Sequence, residues 1–198
     1  SEAAAFRARL GIEPAEILVL FLGRIHAYKG LDALIRAFGQ VQSRDRNLRL
    51  VIAGRDDGYL STAQNLARQV VPAGRVIFSG PLYGNDRFDA YHAADLFAIT
   101  PSHFEQTSLA ALEAASCGTP ILVTQQAAIP GLDAAGGGCT TMYDASAVAG
   151  ALQRLLNSDM PAMGARARAL VRERFSLDRV TRDLERTYDM SLMRAFTR

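Results

Sequence analysis

Cysteine, lysine and long apolar runs are scarce in this 198-residue sequence, and each scarcity excludes something. Only two cysteines occur, Cys117 and Cys139, with no CxxC and no histidine partner pattern. A disulfide framework and a cysteine-based metal centre therefore have little support, and free buried thiols in a reducing cytosol are expected. The longest uninterrupted apolar run, Ile17 to Leu22, is far short of the roughly 20 residues that cross a bilayer, and no basic-then-apolar leader opens the sequence. The expectation is a cytoplasmic chain that does not span a membrane. At 49% hydrophobic and 21% charged residues, the composition suits neither disorder nor a coiled coil, and the length fits one large domain or two small ones.

Charge of one sign is also in short supply, the formal net charge being only +2. The excess is local: ten arginines face six acids from Gly150 onward, which leaves the first 149 residues at −2. Those arginines alternate with acids at helical spacing and no aromatic stacking platform accompanies them, so they read as a solvated helix face and no nucleic-acid partner is expected. Of 22 basic residues, 21 are arginine and one, Lys29, is lysine. Arginine serves wherever an ordinary cation is wanted, so the exception marks a place that calls for a compact ammonium.

Short apolar runs alternate with amphipathic stretches. Strands are expected at Ile17–Gly23, Leu48–Gly54, Arg75–Gly80, Leu96–Thr100, Pro120–Thr124 and Gly138–Tyr143. Helices are expected at Leu31–Ser43, Leu60–Val71, Asp86–Ala94, Ser108–Cys117 and Ile129–Ala135. The strand at Ile17 is apolar at every position instead of alternating, which is the pattern of a strand covered on both faces. The fold class is thus α/β, a Rossmann-like doubly wound parallel sheet of about six strands. From about residue 145 the strand signal stops. Ala145–Asn157, a helix opened by Pro161 and ending near Phe175, and a last one capped by Ser176 or Asp178 make a helical C-terminal extension to residue 198. One domain is expected, with ligand residues in the strand-to-helix loops beyond the carboxyl ends of the strands.

The first such loop reads Gly23-Arg24-Ile25-His26-Ala27-Tyr28-Lys29-Gly30 and holds the only lysine. Gly23 lets backbone come close to a ligand, while Arg24 and Lys29 put a planar fork and a point charge beside the next helix N-terminus, a combination suited to an anion such as a diphosphate. The loop matches neither GxxxxGK[ST] nor GxGxxG. Two surface cations on a loop would be the plain structural alternative. The loop after the fourth strand, Pro101 to Leu109, leads into an alanine-rich helix in which Glu113 is the only charged side chain after Glu105. A carboxylate there needs a partner, either a backbone or arginine contact or a ligand hydroxyl. In regular helix, Glu105 and Glu113 would stand about 12 Å apart along the axis, too far for a hydrolytic acid and base pair at roughly 5 to 9.5 Å. They suit two contacts on one extended ligand. His103 lies nearest these residues, His92 is expected to cap or pack, and Cys117 to lie in the core.

Taken in order, GRIHAYKG, the IAG of Ile52 to Gly54, the FSG of Phe78 to Gly80, AYHAADLFAITPS from Ala90 to Ser102, and E-x(7)-E from Glu105 to Glu113 followed by A-x(3)-G-T-P resemble one family. The chain is similar to the C-terminal, donor-binding domain of the retaining GT-B glycosyltransferases, also called glycosyl transferases group 1 or family 4, over about Arg7 to Tyr188. The resemblance implies transfer of a hexose from a nucleotide diphosphate sugar to a glycan or lipid-linked acceptor in polysaccharide or glycoconjugate synthesis. It implies no cofactor and no metal, with peripheral association at the inner face of a membrane open to a full-length protein. Arg24 and Lys29 would hold the diphosphate, Glu113 the ribose hydroxyls and Glu105 the donor sugar near the reacting carbon. Backbone of Thr107, Ser108 and Leu109 would meet the sugar or phosphate, and backbone of Gly80, Pro81 and Leu82 the base.

Two departures stand out. Gln106, Thr107 and Ser108 occupy positions where many relatives carry glycines, and only some sixteen residues precede the first strand, where the family has an acceptor-binding domain. The expectation is a donor-binding half, inactive alone. A nucleotide-sugar epimerase, a phosphorylase and a non-catalytic nucleotide-binding or regulatory α/β module are the alternatives. The last is disfavoured because Gly23-Arg24, not clustered aspartates, follows the first strand.

Overall fold

The computed structural model describes residues 1–41, 47–105 and 108–196. Six strands form one parallel sheet: β1 (Ile17–Leu22), β2 (Leu48–Ala53), β3 (Val76–Gly80), β4 (Leu96–Ile99), β5 (Ile121–Thr124) and β6 (Gly138–Thr141), in the spatial order β3-β2-β1-β4-β5-β6. All five pairings are parallel. β1 pairs with β2 over its whole length, from Ile17 opposite Leu48 to Leu22 opposite Ala53, and with β4 through Val19–Leu96 and Leu20–Phe97. Leu18 to Phe21, Leu50 to Ala53, β4 and Ile121 to Val123 are buried on both faces, which explains their unbroken apolar sequence.

Two helix layers cover the sheet. On one face α2 (Leu31–Gln40) packs on α3 (Leu60–Val70) and on α7 (Ala145–Leu156). The other face carries α4 (Asn85–Ala93), which packs on α1 (Glu2–Arg9) and α5 (Leu109–Ser116). α5 in turn packs on α8 (Met160–Arg174), which also meets the short α6 (Leu132–Ala135). The chain runs outward from β1 to β3 on one side and, after crossing back, from β4 to β6 on the other. The mouth between the carboxyl ends of β1 and β4 is therefore the topological switch point, where open α/β sheets take their ligands.

Some expectations shift. α2 stops at Gln40 with Val41 as its C-cap, and Ser43 lies outside the described residues. α6 starts only at Leu132, because Gly131, at φ +86°, turns the chain in a way the expected helix start at Ile129 does not accommodate. β6 ends at Thr141, not Tyr143. α1 is an addition that no sequence pattern announced: an eight-residue, alanine-rich helix whose one buried side chain is Phe6. Arg7 ties it down by donating to the Ala93 carbonyl (2.7 Å) and pairing with Asp95 (3.2 Å), whose carboxylate also accepts from the Leu18 backbone N–H (2.7 Å). α9 (Leu177–Phe196) follows α8 as expected, and residues 177–191 are exposed throughout. Both cysteines are free and half-buried, Cys117 packing against the core with its thiol pushed up by burial. His92, expected to cap or pack, is exposed on the last turn of α4, where it faces water and the helix dipole. Among the described residues no helix is long and apolar enough to cross a membrane.

A close backbone approach at the sheet's carboxyl end is at Gly30, in the left-handed region at φ +68°, where a Cβ would come within 1.7 Å of the Thr100 carbonyl oxygen. Gly30→Ala should destabilise the chain by about 3 kcal/mol or more, from positive-φ strain added to overpacking against backbone. Chemical denaturation measures it.

Candidate functional site

Four loops at the carboxyl end of the sheet are stitched together. After β1, Gly23 donates to the Ala53 carbonyl (3.0 Å) and Ile25 to that of Arg55 (2.9 Å), while Asp57 donates back to Ile25 (3.0 Å). A 3₁₀ turn at Ala27–Lys29 follows, opened by His26, whose Nδ1 accepts from the Tyr28 N–H (3.2 Å). On the other side the buried Thr100 hydroxyl donates to the Gly30 carbonyl (2.8 Å), and Ser102 donates to the Tyr28 carbonyl from its N–H (2.9 Å) and its hydroxyl (3.2 Å). The loop after β4 is clamped in turn to the loop after β5, where the Thr124 hydroxyl donates to Pro101 (2.9 Å) and the Glu105 N–H donates to Gln126 (2.8 Å).

These ties bring Lys29 and Glu105, 76 positions apart, into an ion pair of 2.7 Å between Nζ and Oε2, with side chains only 12% and 19% exposed. Arg24 stands on the same loop, 53% exposed, paired with Asp57 at 2.7 Å and donating to the Tyr28 hydroxyl. The Arg24 guanidinium and the Lys29 ammonium lie 5.5 and 5.2 Å from the centre of the Tyr28 ring. Two of the three residues expected to act on the diphosphate and sugar thus touch each other, and the third reaches them through Tyr28. Neither Tyr28 nor Asp57 was singled out from the sequence, since an aromatic and an acid near two cations leave no spacing signal.

Within the protein, a Cβ at Gly23 would meet only the Phe21 ring, at 3.5 Å. The close approach in that loop is the Gly23 carbonyl over Gly54, where a Cβ would come to 1.7 Å. Gly54 donates to the Gly80 carbonyl (2.9 Å), so Gly80, Pro81 and Leu82 open the adjoining edge of the crevice after β3. Ser108 is buried as the N-cap of α5, accepting from the Ala111 N–H (3.3 Å), and Leu109 is exposed; Thr107 lies outside the described residues. His103, 2.8 Å from the Ser102 hydroxyl through Nδ1, borders this loop.

Glu113 has the partner its setting demanded, and in fact two. The fully buried Tyr91 donates to Oε2 (3.0 Å), and Arg87 lies 3.2 Å from Oε1. Burial and the Glu113 charge push the Tyr91 phenol well above the usual tyrosine range. A second acid lies at the N-terminus of α2, where Asp32 accepts from the Tyr143 hydroxyl (2.9 Å). Burial first, then the bond to Asp32, pushes Tyr143 up to about 12. Among the described residues, no three His, Cys, Asp or Glu side chains gather as a metal would need.

Comparison with known proteins adds to this geometry. The sequence model of the family described as Glycosyl transferases group 1 matches residues 2–170. The D-inositol 3-phosphate glycosyltransferase of Mycobacterium marinum is 34% identical over 191 residues, which is 92% of this chain and 40% of that protein. The enzyme of the same name from Rhodococcus jostii is 38% identical over 129 residues, 60% of this chain and 27% of that protein. The chain thus spans less than half the length of the curated relatives it matches. Among solved structures, sucrose-phosphate synthase from Thermosynechococcus elongatus superposes with a TM-score of 0.77 at 25% identity, over 96% of this chain and 49% of the other. Anabaena HepE in complex with UDP gives 0.83 at 19% identity, over 96% and 52%, and has also been solved with UDP and glucose. The sheet and its helix layers are those of GT-B glycosyltransferases.

Tyr143 gives this site an alkaline signature. Its folded pKa of about 12 lies above the ordinary 10.0, so above pH 10 the unfolded chain releases a proton that the folded chain retains. The stabilisation is complete below pH 10 and should be lost as pH rises to about 12. Tyr143→Phe should flatten that fall in a denaturation series from pH 9 to 12, and a spectroscopic phenolate titration of the variant should lose one group that ionises near pH 12 in the wild type.

Proposed function

This chain belongs to the glycosyl transferases group 1, and from that premise we propose that it is the donor-binding domain of a retaining hexosyltransferase, holding a nucleotide diphosphate sugar in the crevice between β1 and β4. The observation that carries the reading is the Lys29–Glu105 pair, which places a compact ammonium and a carboxylate at the switch point of the sheet. In this reading Arg24 and Lys29 face the diphosphate and neutralise the leaving nucleotide as charge develops on it, without a metal. Glu105, released from Lys29 when phosphate oxygens take its place, turns to hydroxyls of the donor sugar near the reacting carbon. Backbone N–H groups of Thr107, Ser108 and Leu109 meet the sugar or phosphate.

Glu113 takes the ribose. Its two partners differ in kind: Tyr91 is fully buried, whereas the Arg87 side chain is 40% exposed and leaves a buried Nε without a partner among the described residues. Ribose hydroxyls would replace Arg87 and leave Tyr91 to hold the carboxylate in place. Backbone from Gly80 through Pro81 to Leu82 borders the base.

The acceptor is met outside this chain, which supplies the donor half of a longer protein. Family resemblance supports a glycan or lipid-linked acceptor at the cytoplasmic face of a membrane. The names of relatives 34% and 38% identical support a second class, a phosphorylated cyclitol such as D-inositol 3-phosphate. Turnover by a full-length protein offered both acceptors separates them.

Calorimetric titration with UDP, GDP and ADP tests the donor site. One nucleotide should bind, and Lys29→Ala should weaken it by about tenfold or more, as loss of a charge-assisted contact does. Glu105→Gln should act in the opposite sense on the sugar-free diphosphate, tightening it by about threefold or more, because Lys29 is then no longer engaged by a carboxylate. Weakening by both substitutions would place Glu105 on the nucleotide instead. The 198-residue chain alone should show no appreciable acceptor-dependent transfer, and robust transfer would refute its assignment as a donor half.

A further inference from the structure

The two cations of the crevice share one neighbour that neither sequence motif nor family match assigns. Tyr28 lies between Arg24 and Lys29 in sequence and touches both in space. Its hydroxyl accepts from Arg24, and its ring has the Arg24 guanidinium at 5.5 Å and the Lys29 ammonium at 5.2 Å. Its backbone is pinned at both ends, the N–H by His26 Nδ1 (3.2 Å) and the carbonyl by the Ser102 N–H (2.9 Å) and hydroxyl (3.2 Å). The His26 ring packs against it with centroids 4.5 Å apart. Arg24 is restrained from its other side by Asp57 (2.7 Å) and Lys29 by Glu105 (2.7 Å), so the groups facing the two cations are one aromatic ring and two carboxylates.

Two like charges on one short loop repel each other and would spread into water unless something held them. A π face attracts both, and a phenol oxygen fixes the orientation of the planar fork. Both cations are therefore held close and oriented. An anion with two phosphate groups can engage both at once, whereas one with a single phosphate gains less from their spacing. We infer that Tyr28 is a positioning residue that fixes Arg24 and Lys29 relative to each other and thereby selects a nucleoside diphosphate moiety over a nucleoside monophosphate. The inference rests on the donor-site reading above, and it adds a specificity residue which that reading does not contain.

The test compares uridine, UMP and UDP on the wild-type chain, Tyr28→Phe and Tyr28→Ala, with guanosine and adenosine series run in parallel so that the preferred base is included. In the wild type the diphosphate should bind more tightly than the monophosphate. Tyr28→Ala should reduce that preference by about fivefold or more, and Tyr28→Phe, which keeps the ring and loses the hydroxyl, by about two- to threefold. Nucleoside affinity should stay within about twofold in both variants, which a general loss of structure would not leave untouched. The single lysine offers a second readout. With ¹³C-labelled lysine the chain gives one Lys29 side-chain spectrum, whose ring-current displacement should be present in the wild type and Tyr28→Phe and vanish in Tyr28→Ala. An unchanged preference for diphosphate in Tyr28→Ala overturns the inference and leaves the donor site standing. No nucleoside diphosphate binding by the wild type overturns the donor-site reading, and this inference with it.

Discussion

The contact on which the rest of the crevice depends is the approach of Gly30 to Thr100. Here the backbone leaving the 3₁₀ turn after β1 passes so close to the first residue beyond β4 that no side chain fits between them. The buried Thr100 hydroxyl closes the gap by donating to the Gly30 carbonyl, and Ser102 repeats the tie one step further out on Tyr28. β1 and β4 share only two residue pairs in the sheet, so these loop contacts, more than the ladder, set how the two sides of the switch point meet. Lys29 and Glu105 sit immediately beside them. Their 2.7 Å separation is thus a consequence of backbone geometry, and altering that approach alters the charge geometry with it.

The charges of that geometry are paired with one another. Lys29 is engaged by Glu105, Arg24 by Asp57, and Glu113 by Arg87 and Tyr91. Leaving partly buried cations and carboxylates unpaired would be expensive, and pairing them with one another keeps each in place. In the proposed reading the cost appears in binding: an incoming diphosphate gains only the difference between its own contacts and those it displaces. In the proposed reading this exchange is also useful, because freeing Glu105 from Lys29 makes a carboxylate available to the sugar only once phosphate has arrived.

Much of the sheet was legible in the sequence because strands buried on both faces must be apolar throughout, and Ile17 to Leu22 announces that at once. The alternation of apolar runs with amphipathic stretches then separated strand from helix, with the end of α2 and the start of α6 three residues off. α1 was not legible, since a short alanine-rich segment with one buried phenylalanine has almost no amphipathic period, and it is held by Arg7 reaching the far end of α4. The candidate site divides the same way. Lys29 was marked by its rarity and Glu113 by its apolar surroundings, both local signals. Asp57, Tyr91 and Arg87 owe their places to contacts across loops and helices, and nothing in their own neighbourhoods records that. The close approaches within the protein itself, at Gly30 and Gly54, left no signal of their own, because each depends on where a distant loop passes.

The exposure of Arg24 bears on the difference between holding a donor and using it. Its side chain is 53% exposed, on the rim of a crevice bordered by other exposed groups such as Phe104, Leu109 and Tyr83. At such a position the surrounding dielectric is close to that of water, and a cation beside a phosphate stabilises charge far less than the same cation in a dry cavity. Lys29, at 12% exposure, already lies in a more favourable setting. Developing charge on a leaving diphosphate is stabilised most where water is excluded and the dipoles are fixed in advance. The ties among the four loops supply the fixed dipoles. In the proposed reading, exclusion of water is left to a second surface over the rim, so that holding the donor and using it are separable steps.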